Sequence, residues 1–231
     1  MKLPLSKRLL ACCEFIRPGD RVADIGCDHG YLGIHLLTQG IAASVIAADI
    51  NEGPLQSAMR NAVKYGVRGK MTFFLSDGVR AIPREFDTMV CAGMGADTMI
   101  SILEAAPWLK SSQYRLILQC QSKTPALRQY LSEQGWRIRK ERVLRDGRFL
   151  YTVMELLWQP DYPRLTLGEW WFPPALLKDP TPETPEYFRR IRDGLSLAVS
   201  HGETGHKAQA LAWLNELSAT PELNWLTEDT E

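Results

Sequence analysis

No stretch of this 231-residue chain approaches the roughly 18–20 consecutive apolar residues that a bilayer-spanning helix needs, so no membrane role is expected. Cysteine is scarce and odd in number, five in all, and no CxxC pair occurs. With only four histidines the sequence also lacks zinc-ligand spacing, so neither a disulfide framework nor a metal site is expected. The vicinal Cys12-Cys13 pair falls in a helical pattern and reads as reduced thiols. The opening MKLPLSKRLLACCEF lacks the apolar stretch and small-residue cleavage site of a signal peptide, and the expected location is the cytoplasm. A net charge of one sign is missing too, with 27 Lys and Arg against 27 Asp and Glu. What is present is ample apolar material, 45% against 23% charged residues, enough for a folded core and too much for a disordered chain.

The balanced charge is unevenly spread. Up to Gln159 there are 21 Lys and Arg against 15 Asp and Glu; from Pro160 onward there are 6 against 12. The asymmetry points to a polyanion at the basic part, or simply to two differently solvated surfaces.

Helix and strand signals alternate through the first two-thirds. Leu5, Leu9, Cys12, Cys13 and Ile16 share one helical face, ended by Pro18-Gly19. RVADIG, SVIAADI, MTFFLS, DTMVCAG and YRLILQC read as buried strands with helices between them. WRIRKERVL and RFLYTVMELLW flank Asp146-Gly147, a hairpin signal. The expectation is an α/β fold: a seven-stranded sheet with one reversed strand and helices on both faces. Pattern alone does not place the hairpin in the sheet. Prolines punctuate the chain after Gln159, and two amphipathic helices follow around HGETG. Their stripes are Tyr187, Phe188, Ile191, Leu195, Ala198 and Ala208, Leu211, Ala212, Leu214, Leu217. Residues 1–159 thus form one expected domain and 160–231 a helical extension. That extension either covers the first domain or serves as a substrate arm.

The strongest local signal is VADIGCDHGY, residues 22–31, where a strand ends in glycine and a helix begins. In an open parallel sheet the ligand crevice lies at such carboxyl ends. A dinucleotide fingerprint counted from Gly26 would need glycine at 28 and 31, but Asp28 and Tyr31 stand there. A carboxylate at 28 repels a pyrophosphate, so the turn suits a positively charged ligand without phosphate. S-adenosyl-L-methionine, with its sulfonium and ammonium, fits. Asp49 ends the second strand, where it can accept from ribose hydroxyls, and Asp77 ends the third, where it can accept from an adenine amino group. Each aspartate alone could be a helix cap; three at successive strand ends are harder to explain that way.

DIGCDHGYL (24–32), AADIN (47–51), SDG (76–78), AGMGADTMI (92–100), LILQ (116–119) and the QGWRI…ER…G…Y run (134–151) resemble the bacterial tRNA adenine-22 N1-methyltransferases over essentially the whole chain. The resemblance implies a Rossmann-like class I methyltransferase sheet with a C-terminal helical, coiled-coil-like extension. It also implies S-adenosyl-L-methionine as cofactor and methyl transfer to N1 of an adenine in tRNA. The family's cofactor contacts fall on Asp24, Gly26, Asp28, Asp49, Asp77 and Gly78. Its residues near the reacting groups fall on Asp28, His29, Tyr31 and Gly93-Met94-Gly95. Two departures stand out: Ala96 where many relatives carry a further glycine, and Gln119-Cys120-Gln121 where QPN is common.

Adenine N1 needs in-line approach to the methyl, with acceptors near the amino group as positive charge develops. Asp28 and the carbonyls of residues 92–94 could supply them. His29 could shuttle the proton or only hold the turn; Tyr31 could stack on the base or pack on the first helix; Met94 could wall the base or join the core. Exposing a paired base costs a few kcal/mol, to be met by backbone contacts. The basic candidates are Lys7, Arg8, Arg137, Arg139, Lys140, Arg142, Arg145 and Arg148. Strand alternation sets Arg137 and Arg139 opposite Lys140 and Arg142, which limits how many face one phosphate run. A monomer is expected. The competing readings are a class I methyltransferase for another RNA, a protein or a small molecule, and a non-catalytic RNA-binding or cofactor-sensing scaffold.

Overall fold

The computed structural model describes residues 3–218. Five strands, β1 (Arg21–Ile25), β2 (Ser44–Asp49), β3 (Met71–Leu75), β4 (Thr88–Met94) and β5 (Arg115–Cys120), run parallel. A hairpin of β6 (Trp136–Asp146) and β7 (Phe149–Trp158) completes a sheet of order β3-β2-β1-β4-β5-β7-β6. β7 inserts antiparallel beside β5, so β6 becomes the edge strand. The chain reverses between β1 and β4, and the carboxyl ends there open the crevice that such topology provides.

Helices α1 (Lys7–Cys13), α2 (Tyr31–Thr38), α3 (Glu52–Lys64), α4 (Ala96–Glu104) and α5 (Thr124–Glu133) cover the two faces. One core gathers Ile25, Ile46, Met89, Leu116 and Leu156 with α4 and α5; the other gathers Val22, Val45, Val90 and Ile117 with α1, α2 and α3. β5 is buried at every position, as a strand covered on both faces must be. The first helix is shorter than its apolar stripe suggests. It starts at the Ser6 cap and ends at Cys13, and Ile16 reaches the core from the turn that follows.

β6 holds the main correction. Ile138 pairs with Leu156 but Lys140 pairs with Glu155, so one extra residue sits on β6. This bulge resets the alternation. Arg139, expected opposite Lys140 and Arg142, instead lines one concavity with both. Glu141 and Val143 turn to the other face, where Glu141 receives the guanidinium of fully buried Arg128.

Beyond Gln159 the helical region begins with two short helices that proline spacing alone does not reveal, α6 (Leu167–Trp171) and α7 (Pro174–Lys178). α8 (Thr184–Ser200) and α9 (His206–Ser218) form the expected helical pair. Phe188 and Leu195 of α8 are buried as expected. On α9 Leu211, Leu214 and Leu217 face inward as expected, Ala212 is exposed instead, and Ala210 and Trp213 join the packed face. Trp213 packs over Gly168, where a Cβ would collide with the indole, and stacks on Phe172. Residues 219–231 of the expected extension lie outside the described residues. Among the described residues no helix is long and apolar enough to cross a membrane.

Candidate active site

The carboxyl ends of β1 to β4 enclose two adjoining cavities that meet at Gly26. The larger, about 420 Å³, is lined by Asp49, Ile50, Ser76, Asp77, Gly78 and Ile102 among others. The smaller, about 210 Å³, is lined by Arg8, Asp24, Asp28, His29, Tyr31 and Gly93 with their neighbours. Gly26 has φ +71°, and a Cβ there would collide with Met94 Cε. Glycine is therefore required on two counts, conformation and the close approach of the Met94 methyl. Met94 lines the larger cavity and also packs on the core.

Asp24 sits on the floor of the smaller cavity and is 4% exposed. Its Oδ2 has no hydrogen-bond partner. Burial pushes its carboxyl up to about 7; the Asp49 charge adds to this and the Gly33 amide opposes it. A buried carboxylate oxygen left unpaired is costly, and it marks a place where a cationic donor is wanted.

Asp49 is nearly buried as well, and it is tied to the turn beside it. Its Oδ2 accepts from the Asp28 amide at 3.0 Å and its Oδ1 from the Asn51 amide at 2.9 Å. These bonds fix the orientation of the carboxylate at the mouth of β2. Asp28 takes φ +50°, a left-handed conformation that an aspartate tolerates better than most residues, and points its carboxylate outward. Its Oδ1 lies 3.7 Å from His29 Nε2, and the His29 and Tyr31 rings are 5.7 Å apart. Asn61 of α3 donates to the His29 carbonyl at 3.0 Å, which braces the turn from below. Asp77 is exposed on the rim and lies 3.5 Å from Arg80. Gly78 (φ +59°) closes that rim over Ile102, and the Ser76 hydroxyl, donating to its carbonyl at 2.9 Å, shapes the turn.

β4 ends in a bulge between Ala92 and Met94, with Gly93 at φ +80°. The Gly93 amide donates to Gln119 Oε1 at 3.0 Å, and Arg8 Nη1 reaches the same oxygen at 3.4 Å. Gly95 lies against the Ser122 hydroxyl. Gln119 is fully buried and braces the turn, a role not assigned from the sequence, although its place in an unusual Gln-Cys-Gln stretch was a signal. Ile50 was missed as well. It is a large apolar residue left exposed directly after Asp49, which is how a wall for a flat ring looks.

The basic candidates scatter. Arg8 lines the smaller cavity and lies 3.7 Å from Asp146, while Lys7 is exposed at the start of α1. Arg137 stacks on Tyr162 and donates to Gln159. Arg142 pairs with Glu14, and Arg145 is turned to Glu186 of α8. Arg148 lies over Phe149 at the hairpin tip. Arg139, Lys140 and Arg142 share one concave surface, and Arg137 and Arg139 share another beside Tyr162. Among the described residues no group of three His, Cys, Asp or Glu could hold a metal ion.

Comparison with known proteins shows the family and the fold. The family described as "Methyltransferase domain" matches residues 5–154. The tRNA (adenine(22)-N(1))-methyltransferase of Bacillus subtilis (strain 168) is 34% identical over 154 residues, 66% of this chain and 65% of that protein. The crystal structure of the B. subtilis m1A22 tRNA methyltransferase TrmK superposes with a TM-score of 0.79 at 26% identity, covering 98% of this chain and all of the other. A Streptococcus pneumoniae structure holding S-adenosyl-L-methionine superposes with a TM-score of 0.78 at 27% identity, covering 96% of this chain and 99% of that one. The sequence match to the B. subtilis enzyme thus spans slightly less than two-thirds of its length, whereas the structural match is end to end.

Proposed function

The chain belongs to the methyltransferase domain family, and on that premise we propose that it methylates N1 of adenine 22 in tRNA, using S-adenosyl-L-methionine. The observation that carries the reading is the unpartnered Asp24 Oδ2 at the floor of a cleft whose rim is set by Asp49 and Asp77. An ammonium group matches the first, a ribose diol the second, and an adenine amino group the third. Ile50 and Ile102 offer apolar walls for the adenine ring. No diphosphate suits a floor so rich in carboxylates. The cofactor, when bound, supplies an electrophilic methyl on a sulfonium.

The chain's own residues do the rest. Asp24, Gly26 and Asp28 hold the amino-acid end, and Asp49, Asp77 and Gly78 hold the nucleoside end. The target base enters beside Asp28, His29, Tyr31 and the Gly93-Met94-Gly95 turn. Gly93 lets the backbone approach the base closely, and its carbonyl with that of Ala92 offers acceptors to the amino group. Asp28 supplies negative potential as the ring gains charge. His29, next to Asp28, takes up the proton later lost from the amino group. Tyr31 stacks on the extruded base. The reading makes the protein a cytoplasmic monomer with tRNA as its partner, and residues 160–231 a helical extension of the catalytic domain 1–159.

The test is mass spectrometry of tRNA nucleosides after incubation with isotopically labelled cofactor. Labelled 1-methyladenosine at position 22 is the expected product. Label only in another RNA, in protein or in a small molecule would replace this reading with a different substrate. Cofactor binding without any transfer would leave a scaffold.

A further inference from the structure

Away from the cleft, the densest charge cluster among the described residues lies where the turn after α1 meets β6 and β7. Glu155 of β7, 1% exposed, faces three guanidinium groups. Arg115 Nη1 donates to it at 2.9 Å, Arg139 Nε donates to it at 2.7 Å, and Arg17 Nη2 lies 3.7 Å away. Arg115 also binds Asp20, the Phe15 carbonyl and the Thr88 hydroxyl, so it is spent on the fold. Arg17, Arg139, Lys140 and Arg142 stay partly exposed around a concavity of about 200 Å³.

The donors outnumber the acceptors. Five cations line this concavity against two carboxylates, Glu14 and Glu155; Asp20 behind Arg115 and Asp179, 4.0 Å from Lys140, bring the acceptors to four. Each guanidinium has five N–H groups in a planar fork, and with Arg115 already spent, Glu155 alone cannot satisfy the forks of Arg17 and Arg139. The N–H groups that face outward call for a further oxyanion, and the fork matches a phosphate. The bulge at Ile138/Lys140 is what brings Arg139 to the same side as Lys140 and Arg142.

Position gives the cluster its meaning. α1 lies along β6, with Arg8 beside Asp146 at the cleft end and Glu14 paired with Arg142 at the other. Arg8 lines the cleft and Arg17 lines the concavity. Arg8 sits near the start of α1 and Arg17 in the turn beyond its end at Cys13, so one stretch of chain carries a cation to each site. One RNA can touch both.

We propose that this concavity is an oxyanion site for a phosphodiester of the RNA whose adenine enters the cleft. It holds the strand in register while the base leaves its stack. The inference rests on the reading of the protein as a tRNA methyltransferase and adds Arg17 to the residues that read the backbone. The test uses the full chain carrying Arg17→Ala and Lys140→Ala together, since Glu155 keeps Arg115 and Arg139 as partners and neither change touches the cleft. tRNA binding is titrated against salt, and steady-state methylation is measured alongside. The double variant is expected to show a log K against log[salt] slope shallower by about 1.4–1.8, two phosphate contacts' worth. KM for tRNA should rise about tenfold with kcat and cofactor affinity within twofold of the parent. An unchanged slope and KM in a variant of an active parent overturns the site. If the parent binds RNA with a salt slope that the variant loses, yet methylates no tRNA, the site stands and the substrate reading falls. If the parent shows neither RNA binding nor transfer, both fall.

Discussion

Gln119 Oε1 accepts the Gly93 amide proton across 3.0 Å, so a buried side chain on β5 holds the backbone of the turn that ends β4. Gln119→Leu keeps the volume and removes the acceptor. The unpaired amide costs about 1–3 kcal/mol, part of it appearing as looseness of the turn. The expected outcome is a fall in kcat of about tenfold with cofactor affinity within threefold, measured by single-turnover kinetics and calorimetry. An equal loss in both would make Gln119 part of the cofactor site instead.

Gly26→Ala meets two obstacles, the Met94 methyl and a positive φ. The left-handed conformation alone costs about 1–2 kcal/mol for an L residue. The single variant should bind S-adenosyl-L-methionine at least 100-fold more weakly. Adding Met94→Ala removes the collision but not the backbone strain, so calorimetry should find partial recovery, and melting temperature should stay below that of the parent.

Asp24 links the cleft to pH. Its carboxyl, at about 7 in the fold against an ordinary 3.8, keeps a proton through a range where the unfolded chain has lost it. The folded state binds more protons there, so the stability tied to protonated Asp24 is complete below the ordinary value and drains away as pH rises to about 7. The loss is on the order of 4 kcal/mol at about 1.4 kcal/mol per unit. Without cofactor, Asp24→Asn should therefore melt higher than the parent at pH 8 and show little of that pH dependence. The cofactor ammonium prefers the ionised carboxylate, so parental affinity should climb from pH 5 to 7 and then level, while the variant's stays weak and flat. Thermal melts and calorimetry across that range check both halves.

Arg128 and Glu141 form an ion pair with both side chains at 0% exposure, completed by the Tyr187 hydroxyl and the Trp170 carbonyl. Arg128→Met strands the carboxylate and should cost about 3–5 kcal/mol, whereas Arg128→Met with Glu141→Leu should recover most of that loss. Urea unfolding reads both. A double variant no better than the single one would show that the guanidinium is needed for its bonds to the helical region rather than to Glu141.

Much of this was legible in the residues. The βα alternation, the Asp146-Gly147 hairpin and the aspartates at three strand ends all rest on local pattern, and local pattern is where they appear in the structure. Where long-range pairing decides, the reading stopped. Nothing in WRIRKERVL marks a bulge, because the extra residue is fixed by how Lys140 meets Glu155 across the hairpin. The insertion of β7 beside β5 likewise depends on the sheet as a whole. Gln119 looked like a departure from a motif, and only its distance to Gly93 shows it bracing the turn. The α9 stripe held at Leu211, Leu214 and Leu217, but the inward turn of Trp213 was not readable because its partners, Gly168 and Phe172, lie far away in sequence.

The helical region also guards the sheet. β6 is an outermost strand, and its Val143 is sealed beneath Phe172, Leu176 and Phe188 while the Thr181 hydroxyl caps the Val143 carbonyl at 3.0 Å. A chain cut after Gln159 would bare that border and invite another copy to pair along it. Such a fragment would then aggregate for reasons unrelated to catalysis, and losing its activity would say nothing about whether those helices handle RNA.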